Sequence, residues 1–146
     1  MDATSASYIQ IGPKMKNTIL KPLAIAIAAA FLWTPVSAVA ENAPAEGSFT
    51  GASDHITTGG VTVVKTADGG AVVILDSDFS LDGAPDPRVG FGSNGEYATE
   101  TDLGELQNLN GLQIYIVPAS INVDDFNEVY IWCLKFGVPL GVASLS

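Results

Sequence analysis

The sequence predicts an all-β fold, an antiparallel β-sandwich or barrel-like single domain that follows a cleaved signal peptide. Three observations lead to this prediction. Short runs rich in Val, Ile and aromatic residues recur along residues 47–146, and glycine and proline interrupt the chain between them. The step Asp68-Gly69, between two such runs, is typical of a hairpin turn with positive φ. Short strands at fairly regular spacing are characteristic of sandwiches and barrels.

The N-terminal forty residues have the pattern of a secretory signal peptide. Lysines at 14, 16 and 21 precede an apolar stretch over 23–33, and the small-residue step Ala38-Val39-Ala40 follows it. The stretch is shorter than the roughly 20 apolar residues of a membrane span. We therefore predict cleavage after Ala40, a periplasmic or secreted location, and no membrane attachment of the mature chain.

The chain divides into four predicted segments. Met15 would open a signal peptide of ordinary length, so either Met1 or Met15 is the start. Residues before Gly47 include Pro44 and several alanines, have no periodicity and predict a flexible leader. The segments are an upstream extension (1–14), the signal peptide (15–40), the leader (41–46) and the β domain (47–146).

The strands of the domain follow from apolar and β-branched runs. Residues 61–64 and 71–75 flank the Asp68-Gly69 turn and predict an antiparallel pair. A candidate helical turn covers 102–108. Four aromatic residues that alternate with aliphatic ones are predicted core residues: Phe79, Tyr115, Trp132 and Phe136. The other predicted strands are 49–52, 88–91, 112–117, 129–136 and 143–145.

The charge of the mature segment limits the classes of partner. Residues 41–146 carry three Lys and Arg against fifteen Asp and Glu, a net charge of −12. Such a surface repels phosphate backbones and anionic membranes, which argues against nucleic-acid binding. An acidic surface could bind cationic partners or divalent ions. The simpler explanation of the negative charge is that it keeps the protein soluble outside the cytoplasm.

Cys133 is the only cysteine of the chain, so it cannot form an internal disulfide. Alternation along 129–136 places Val129, Ile131 and Cys133 on one face of the predicted strand, and both faces are largely apolar. We therefore expect Cys133 to be at least partly buried. It is either a small core residue or a functional sulfur for redox chemistry, cofactor ligation or pairing with another chain.

Three blocks of sequence carry a resemblance to a known family. The most specific steps are Ala84-Pro85-Asp86 after the Asp78-Phe79 run and Ile131-Trp132-Cys133 near the end of the domain. Together the blocks resemble the DM-thirteen family, usually described as an electron-transfer module of secreted and cell-surface proteins. The blocks are 47–49 with 55–61; 75–80 with 83–89; and 103–106 with 111–118, 129–133 and Phe136.

The resemblance implies roles for particular residues. Cys133 corresponds to the family cysteine that is proposed as a redox thiol or as the ligand of a prosthetic group such as haem, and Trp132 beside it is a candidate for stacking on that group. His55 corresponds to the family histidine and is the accessory candidate, provided that it lies near the thiol. A redox or cell-surface protein would be the partner. Here Pro87 and Arg88 follow Asp86 where the family has leucine and an aromatic-containing strand.

An acidic cluster offers a separate hypothesis. Asp76, Asp78, Asp82 and Asp86 surround a Gly-Pro loop, and clustered oxygens suit calcium. The pattern is not that of an EF-hand, and a solvated loop whose aspartates bond their own backbone is the alternative.

Two functional hypotheses remain from the sequence. The first is a redox or cofactor-binding module that uses Cys133, with His55 as accessory. The second is an extracytoplasmic recognition module for a protein, an ion or a glycan, in which Cys133 is a core residue. The sequence lacks a serine elbow, a phosphate loop and paired histidines, so a hydrolase is not expected.

Overall fold

The computed structural model describes Gly12 and residues 43–146. The predicted signal peptide (15–40) and, apart from Gly12, the predicted upstream extension (1–14) lie outside the described residues. Residues 43–146 contain ten strands and two short 3₁₀ turns, Thr99–Thr101 and Val123–Asp125. The strands are β1 (Ala45–Gly51), β2 (Thr57–Thr58), β3 (Gly60–Lys65), β4 (Ala71–Leu75), β5 (Ser80–Leu81), β6 (Pro87–Ser93), β7 (Glu96–Tyr97), β8 (Gln113–Val117), β9 (Glu128–Cys133) and β10 (Val138–Ser144).

Eight of the strands form one antiparallel sheet in the order β7-β6-β9-β10-β1-β3-β4-β8, and β2 pairs with β5 separately. The large sheet curls into a half-barrel around an apolar core, which confirms the predicted all-β, barrel-like fold. Leu75, Phe79, Phe91, Ile131 and Leu140 are among the largest fully buried side chains of that core. Among the described residues, no helix has the length and apolar character that a membrane span requires.

β1 begins inside the predicted leader. Ala45 lies opposite Val63 of β3, and Glu46 exchanges two backbone hydrogen bonds with Ser146, at 3.2 and 3.0 Å. These bonds order Ala45 and Glu46, two residues earlier than Gly47, where the sequence predicts the domain to start.

The hairpin predicted at Asp68-Gly69 is confirmed. β3 and β4 pair antiparallel from Val61–Leu75 to Lys65–Ala71, and Gly69 has a φ of 88°. A positive φ costs glycine nothing because it has no Cβ, which is why the turn forms here. Val61 and Val63 then point into the core.

The strand predicted over 129–136 ends at Cys133. Residues 134–137 form a hairpin turn in which Gly137 has a φ of 63°, and β10 then runs from Val138 to Ser144, longer than the predicted 143–145. The turn directs Phe136 outward, where 65% of it is exposed. The prediction that Phe136 is a core residue is therefore wrong, whereas Phe79 and Tyr115 are buried as predicted.

The helical turn predicted over 102–108 does not form. Gly104 has a φ of 110°, which a right-handed helix excludes, and Glu105 makes an isolated bridge with Arg88. Leu106 donates its N–H to the Pro87 carbonyl at 2.7 Å. The segment therefore runs extended beside β6, because its backbone groups pair with that strand.

Candidate functional site

Cys133 lies at the end of β9 on the face that packs into the core. Val129 and Ile131, four and two residues earlier, have no exposed surface, and Cys133 itself is 1% exposed. This confirms the burial expected from the alternation of the strand. The side chain belongs to the same apolar cluster as its neighbours on that face.

The Cys133 sulfur bonds to a loop that reaches the surface. The Cys133 Sγ–H donates a hydrogen bond to the Pro85 carbonyl at 3.0 Å, and Pro85 is exposed. The next residue, Leu134, donates its N–H to the Asp86 carbonyl at 3.1 Å. We call residues 82–86, which include the hydrogen-bond partner of the sulfur, the cover loop.

The other end of the cover loop is tied to residues 55 and 56. Asp82 Oδ1 lies 2.9 Å from His55 Nδ1, and Asp82 Oδ2 accepts the Ile56 N–H at 3.0 Å. The Asp82 N–H donates to the Ile56 carbonyl at 3.1 Å. The Ile56 N–H and the His55 ring lower the pKa of Asp82, because both stabilise the carboxylate. Asp82 thus fastens the loop through three contacts.

His55 and Cys133 contact the same loop at different points. The ring of His55 pairs with Asp82, whereas the thiol of Cys133 pairs with Pro85. The structure therefore brings both candidates to one loop, but it does not form the direct imidazole–thiol pair on which proton abstraction would depend. In this arrangement His55 positions the loop.

Trp132 lies on the opposite side of the strand from Cys133. Its ring stacks on Tyr97, with centroids 4.5 Å apart and an interplanar angle of 10°, and Tyr130 completes the group. The Tyr97 hydroxyl is buried without a partner among residues 43–146, and burial raises the pKa of Tyr97 to about 12. Trp132 and Cys133 therefore do not face one common space.

Three of the four aspartates of the calcium hypothesis have their own hydrogen-bond partners. Asp78 accepts the Gly60 N–H at 2.9 Å, Asp82 binds the residues just described, and Asp86 accepts from Arg88 Nε at 2.8 Å. Asp76 lies beside Gly60. Across residues 43–146, no group of three or more His, Cys, Asp or Glu side chains is placed to hold a metal ion.

Two surface cavities lie away from the thiol. The larger, about 580 Å³, is lined mainly by polar residues of β1 and β3 and by Asp76 and Asp78. The smaller, about 200 Å³, lies between β1, Val123 and Phe126. Neither is lined by Cys133, His55 or Trp132. In this conformation the Cys133 sulfur bonds to the Pro85 carbonyl and lies in the apolar core.

Two contacts at this site have no strong signal in the sequence. The Pro85 carbonyl is a backbone group, so no residue type marks it as the partner of Cys133. Asp82 stands in the sequence as a candidate calcium ligand, although its role is to bind His55 and Ile56. Its place directly before Gly83, in a loop, is the only hint of a local capping role.

Comparison with known families accounts for almost all of the ordered domain. The family model described as Electron transfer DM13 matches residues 48–145. The chain belongs to the DM13 family. The match runs from β1 through β10 and includes both the cover loop and Cys133. By membership of this family, the domain is an electron-transfer-like domain. No curated protein and no solved structure matches the chain.

Proposed function

We propose that this DM13 domain is an extracytoplasmic redox module in which the thiol of Cys133 exchanges electrons with a partner. The observation that supports it is the hydrogen bond from Cys133 to Pro85, which ties the buried sulfur to an exposed loop. Opening that loop uncovers the thiol without unfolding the sheet. The description of the family as electron-transfer domains supports the same role.

The chemistry that suits a single cysteine is exchange with a disulfide. The Cys133 thiol loses its proton, its sulfur bonds to one sulfur of a small or protein disulfide, and the other sulfur leaves as a thiol. The step conserves the number of disulfides, because Cys133 is oxidised to a mixed disulfide while the leaving sulfur is reduced to a thiol. A second thiol reverses the step, because residues 43–146 offer no resolving cysteine.

Haem ligation by Cys133 is the less favoured form of this proposal. It requires the cover loop to leave the sulfur and a cavity to open beside it, whereas the two cavities lie elsewhere. A haem titration of the protein and of Cys133→Ser, followed by visible absorption, tests it. A band that depends on Cys133 would favour ligation over disulfide exchange.

The test of the proposal is the rate at which an aromatic disulfide reagent modifies Cys133 in the folded protein. Asp82→Ala removes the two side-chain contacts of Asp82 with His55 and Ile56 and keeps the backbone bond to the Ile56 carbonyl, and it should accelerate modification about tenfold, since local opening controls access to a buried thiol. Cys133→Ser, which has no thiol, gives the background signal of the reagent.

Asp68→Ala is the matched control. Asp68 also caps a turn, accepting the Gly70 N–H in the β3–β4 hairpin, but it does not contact the cover loop. It should leave the rate within about twofold. Equal acceleration by both variants, or modification only at the rate of global unfolding, would contradict a loop-gated thiol.

A recognition module with Cys133 as a core residue is the second candidate. The 1% exposure of Cys133 and its place in the apolar cluster favour it. In that case Cys133→Ala would leave partner binding intact, and the thiol would stay unreactive in Asp82→Ala.

A further inference from the structure

Four of the seven large apolar side chains that the described residues expose lie around the cover loop. They are Ile56, Leu109, Leu134 and Phe136, with exposed fractions of 69%, 43%, 48% and 65%. The other three lie in β8 or directly before it. We call the first four the cover-loop patch. Exposed apolar groups that cluster mark an interaction site, whereas scattered ones do not, so the placement of these four decides their meaning.

Two members of the patch are bonded to the two ends of the cover loop. Ile56 donates its N–H to the Asp82 carboxylate at 3.0 Å and accepts the Asp82 N–H at 3.1 Å. Leu134 donates its N–H to the Asp86 carbonyl at 3.1 Å. Because a segment as short as the loop spans at most about 17 Å, both residues belong to one small area of the surface.

The other two members lie beside the middle of the loop and beside its end. Leu109 Cδ1 is 3.9 Å from the position that a Cβ on Gly83 would occupy. Phe136 follows Leu134 by two residues in the β9–β10 turn, and Lys135 Nζ lies 5.7 Å from the centroid of its ring. Exposed apolar side chains therefore border the loop along its length, and we interpret the cover-loop patch as one interaction surface.

The charged residues around this surface are mainly carboxylates. Arg88 lies beside three acidic residues, since Asp86 and Asp102 contact it at 2.8 and 4.0 Å and Glu105 forms a backbone bridge with it. The acidic residues next to the loop and its neighbours are Asp54, Asp82, Asp86, Asp102 and Glu105, and the cations are Arg88 and Lys135. An excess of carboxylates around an apolar patch selects a partner that presents basic groups beside its own apolar contacts.

We propose that the cover-loop patch docks the redox partner, and that this partner is a protein whose disulfide is flanked by apolar and basic side chains. The proposal rests on the disulfide exchange proposed above. The Cys133 thiol gives up its proton, its sulfur bonds to one sulfur of the docked disulfide, and the other sulfur leaves as a thiol that takes up a proton. A small contact area suits this role, because redox partners form weak, short-lived complexes.

Three synthetic peptides with the same pyridyl disulfide on one cysteine test the proposal, because only the flanking residues differ. A basic aromatic peptide carries lysine and phenylalanine, an acidic aromatic peptide carries glutamate and phenylalanine, and a basic polar peptide carries lysine and serine. Each rate of reaction with Cys133 in the folded protein is divided by the rate in the urea-unfolded protein. This ratio cancels differences in the reactivity of the peptides themselves.

The basic aromatic peptide should give the highest ratio. At low salt we expect the ratio for the acidic aromatic peptide to be about tenfold lower, and the difference should narrow as salt screens the carboxylates. The ratio for the basic polar peptide should be about fivefold lower at every salt concentration, because it loses the apolar contacts.

Phe136→Ser removes the most exposed ring of the patch. It should lower the ratio for the basic aromatic peptide at least about threefold and leave that for the basic polar peptide unchanged. Ile116→Ser is the matched control, because Ile116 is also exposed, at 72%, but lies in β8. It should leave all three ratios unchanged.

The outcomes separate this proposal from the one on which it rests. A folded protein that reacts with none of the peptides would contradict disulfide exchange at Cys133 and the docking surface together. Equal ratios for the three peptides, or equal effects of Phe136→Ser and Ile116→Ser, would contradict the docking surface alone, because the thiol would still react.

Discussion

Tyr97 combines a stacked ring with a polar group that has no partner. Its ring covers Trp132, and its hydroxyl is buried without a hydrogen bond among the described residues. An unsatisfied buried hydroxyl costs about 1–3 kcal/mol in lost hydration. The Tyr97 hydroxyl therefore lowers the stability of the fold, whereas the Tyr97 ring contributes packing.

Tyr97→Phe is expected to leave the free energy of unfolding unchanged or raise it by up to about 1 kcal/mol, because the ring stays and the unpaired hydroxyl goes. Urea unfolding measures it. Tyr130→Phe is the control, since Tyr130 donates to Glu128 Oε2 at 3.1 Å and should lose about 0.5–1.5 kcal/mol. A loss for Tyr97→Phe as large as that for Tyr130→Phe would show that the Tyr97 hydroxyl has a partner in solution.

The cover loop is the element whose stability should depend most directly on acid. Asp82 accepts from Ile56 and contacts His55, and these partners hold its pKa below the ordinary 3.8. A lowered pKa in the folded state means that the carboxylate stabilises the loop fully above 3.8. That contribution disappears as the pH falls below 3.8 toward the lower folded value.

We therefore expect modification of Cys133 to accelerate as the pH falls below 3.8, measured with a pyridyl disulfide that reacts in acid. Asp82→Ala should show a weaker acceleration, because its loop is already released at neutral pH. Circular dichroism at each pH checks that the sheet persists. An identical acid response in the two proteins would mean that Asp82 does not control access.

Most elements of the sheet could be predicted from the sequence, and the exceptions have a physical reason. The β3–β4 hairpin follows from local chemistry, because Asp68-Gly69 specifies its own turn. The end of β9 does not, because Leu134, Lys135 and Phe136 continue the strand pattern and only Gly137, at a φ of 63°, closes the turn. Alternation alone cannot show where a strand leaves the sheet.

The candidate site was predictable only in part. The burial of Cys133 follows from the alternation along Val129 and Ile131, since that pattern is local. Its bond to Pro85 joins residues 48 apart, and the His55–Asp82 pair joins residues 27 apart. Contacts between residues so far apart in sequence depend on the assembled sheet. The sequence therefore indicates Cys133 and His55 as candidates but does not show which residues they contact.

At the scale of the whole domain, three tyrosines limit stability in alkali, because burial raises the pKa of Tyr115 as well as the pKa values of Tyr97 and Tyr130. Burial is the main cause that raises the pKa of both Tyr97 and Tyr130 to about 12, from an ordinary value of 10.0. Both must lose a proton more readily when the chain unfolds. Their contribution to stability is therefore complete below pH 10 and is lost as the pH rises from 10 toward about 12.

The urea midpoint should accordingly stay constant from about pH 7 to 9 and fall steeply above pH 10. The fall should be shallower in Tyr97→Phe, which removes one of the three groups. Tyrosinate absorption in the ultraviolet, recorded in the same samples, shows whether ionisation accompanies unfolding. Ionisation of both phenols near pH 10 in the folded protein would contradict the expectation.

β10 follows every other described strand in the sequence, yet it occupies the middle of the sheet between β9 and β1. Until residues 138–144 have been synthesised, no strand pairs with both β9 and β1, so the β6–β9 and β1–β3–β4–β8 groups are not hydrogen-bonded into one sheet. The edges of β9 and β1 therefore stay unpaired in the growing chain until β10 is available. Completion of this sheet therefore depends on residues 138–144, and a chain without them would expose two strand edges of the kind that promote aggregation.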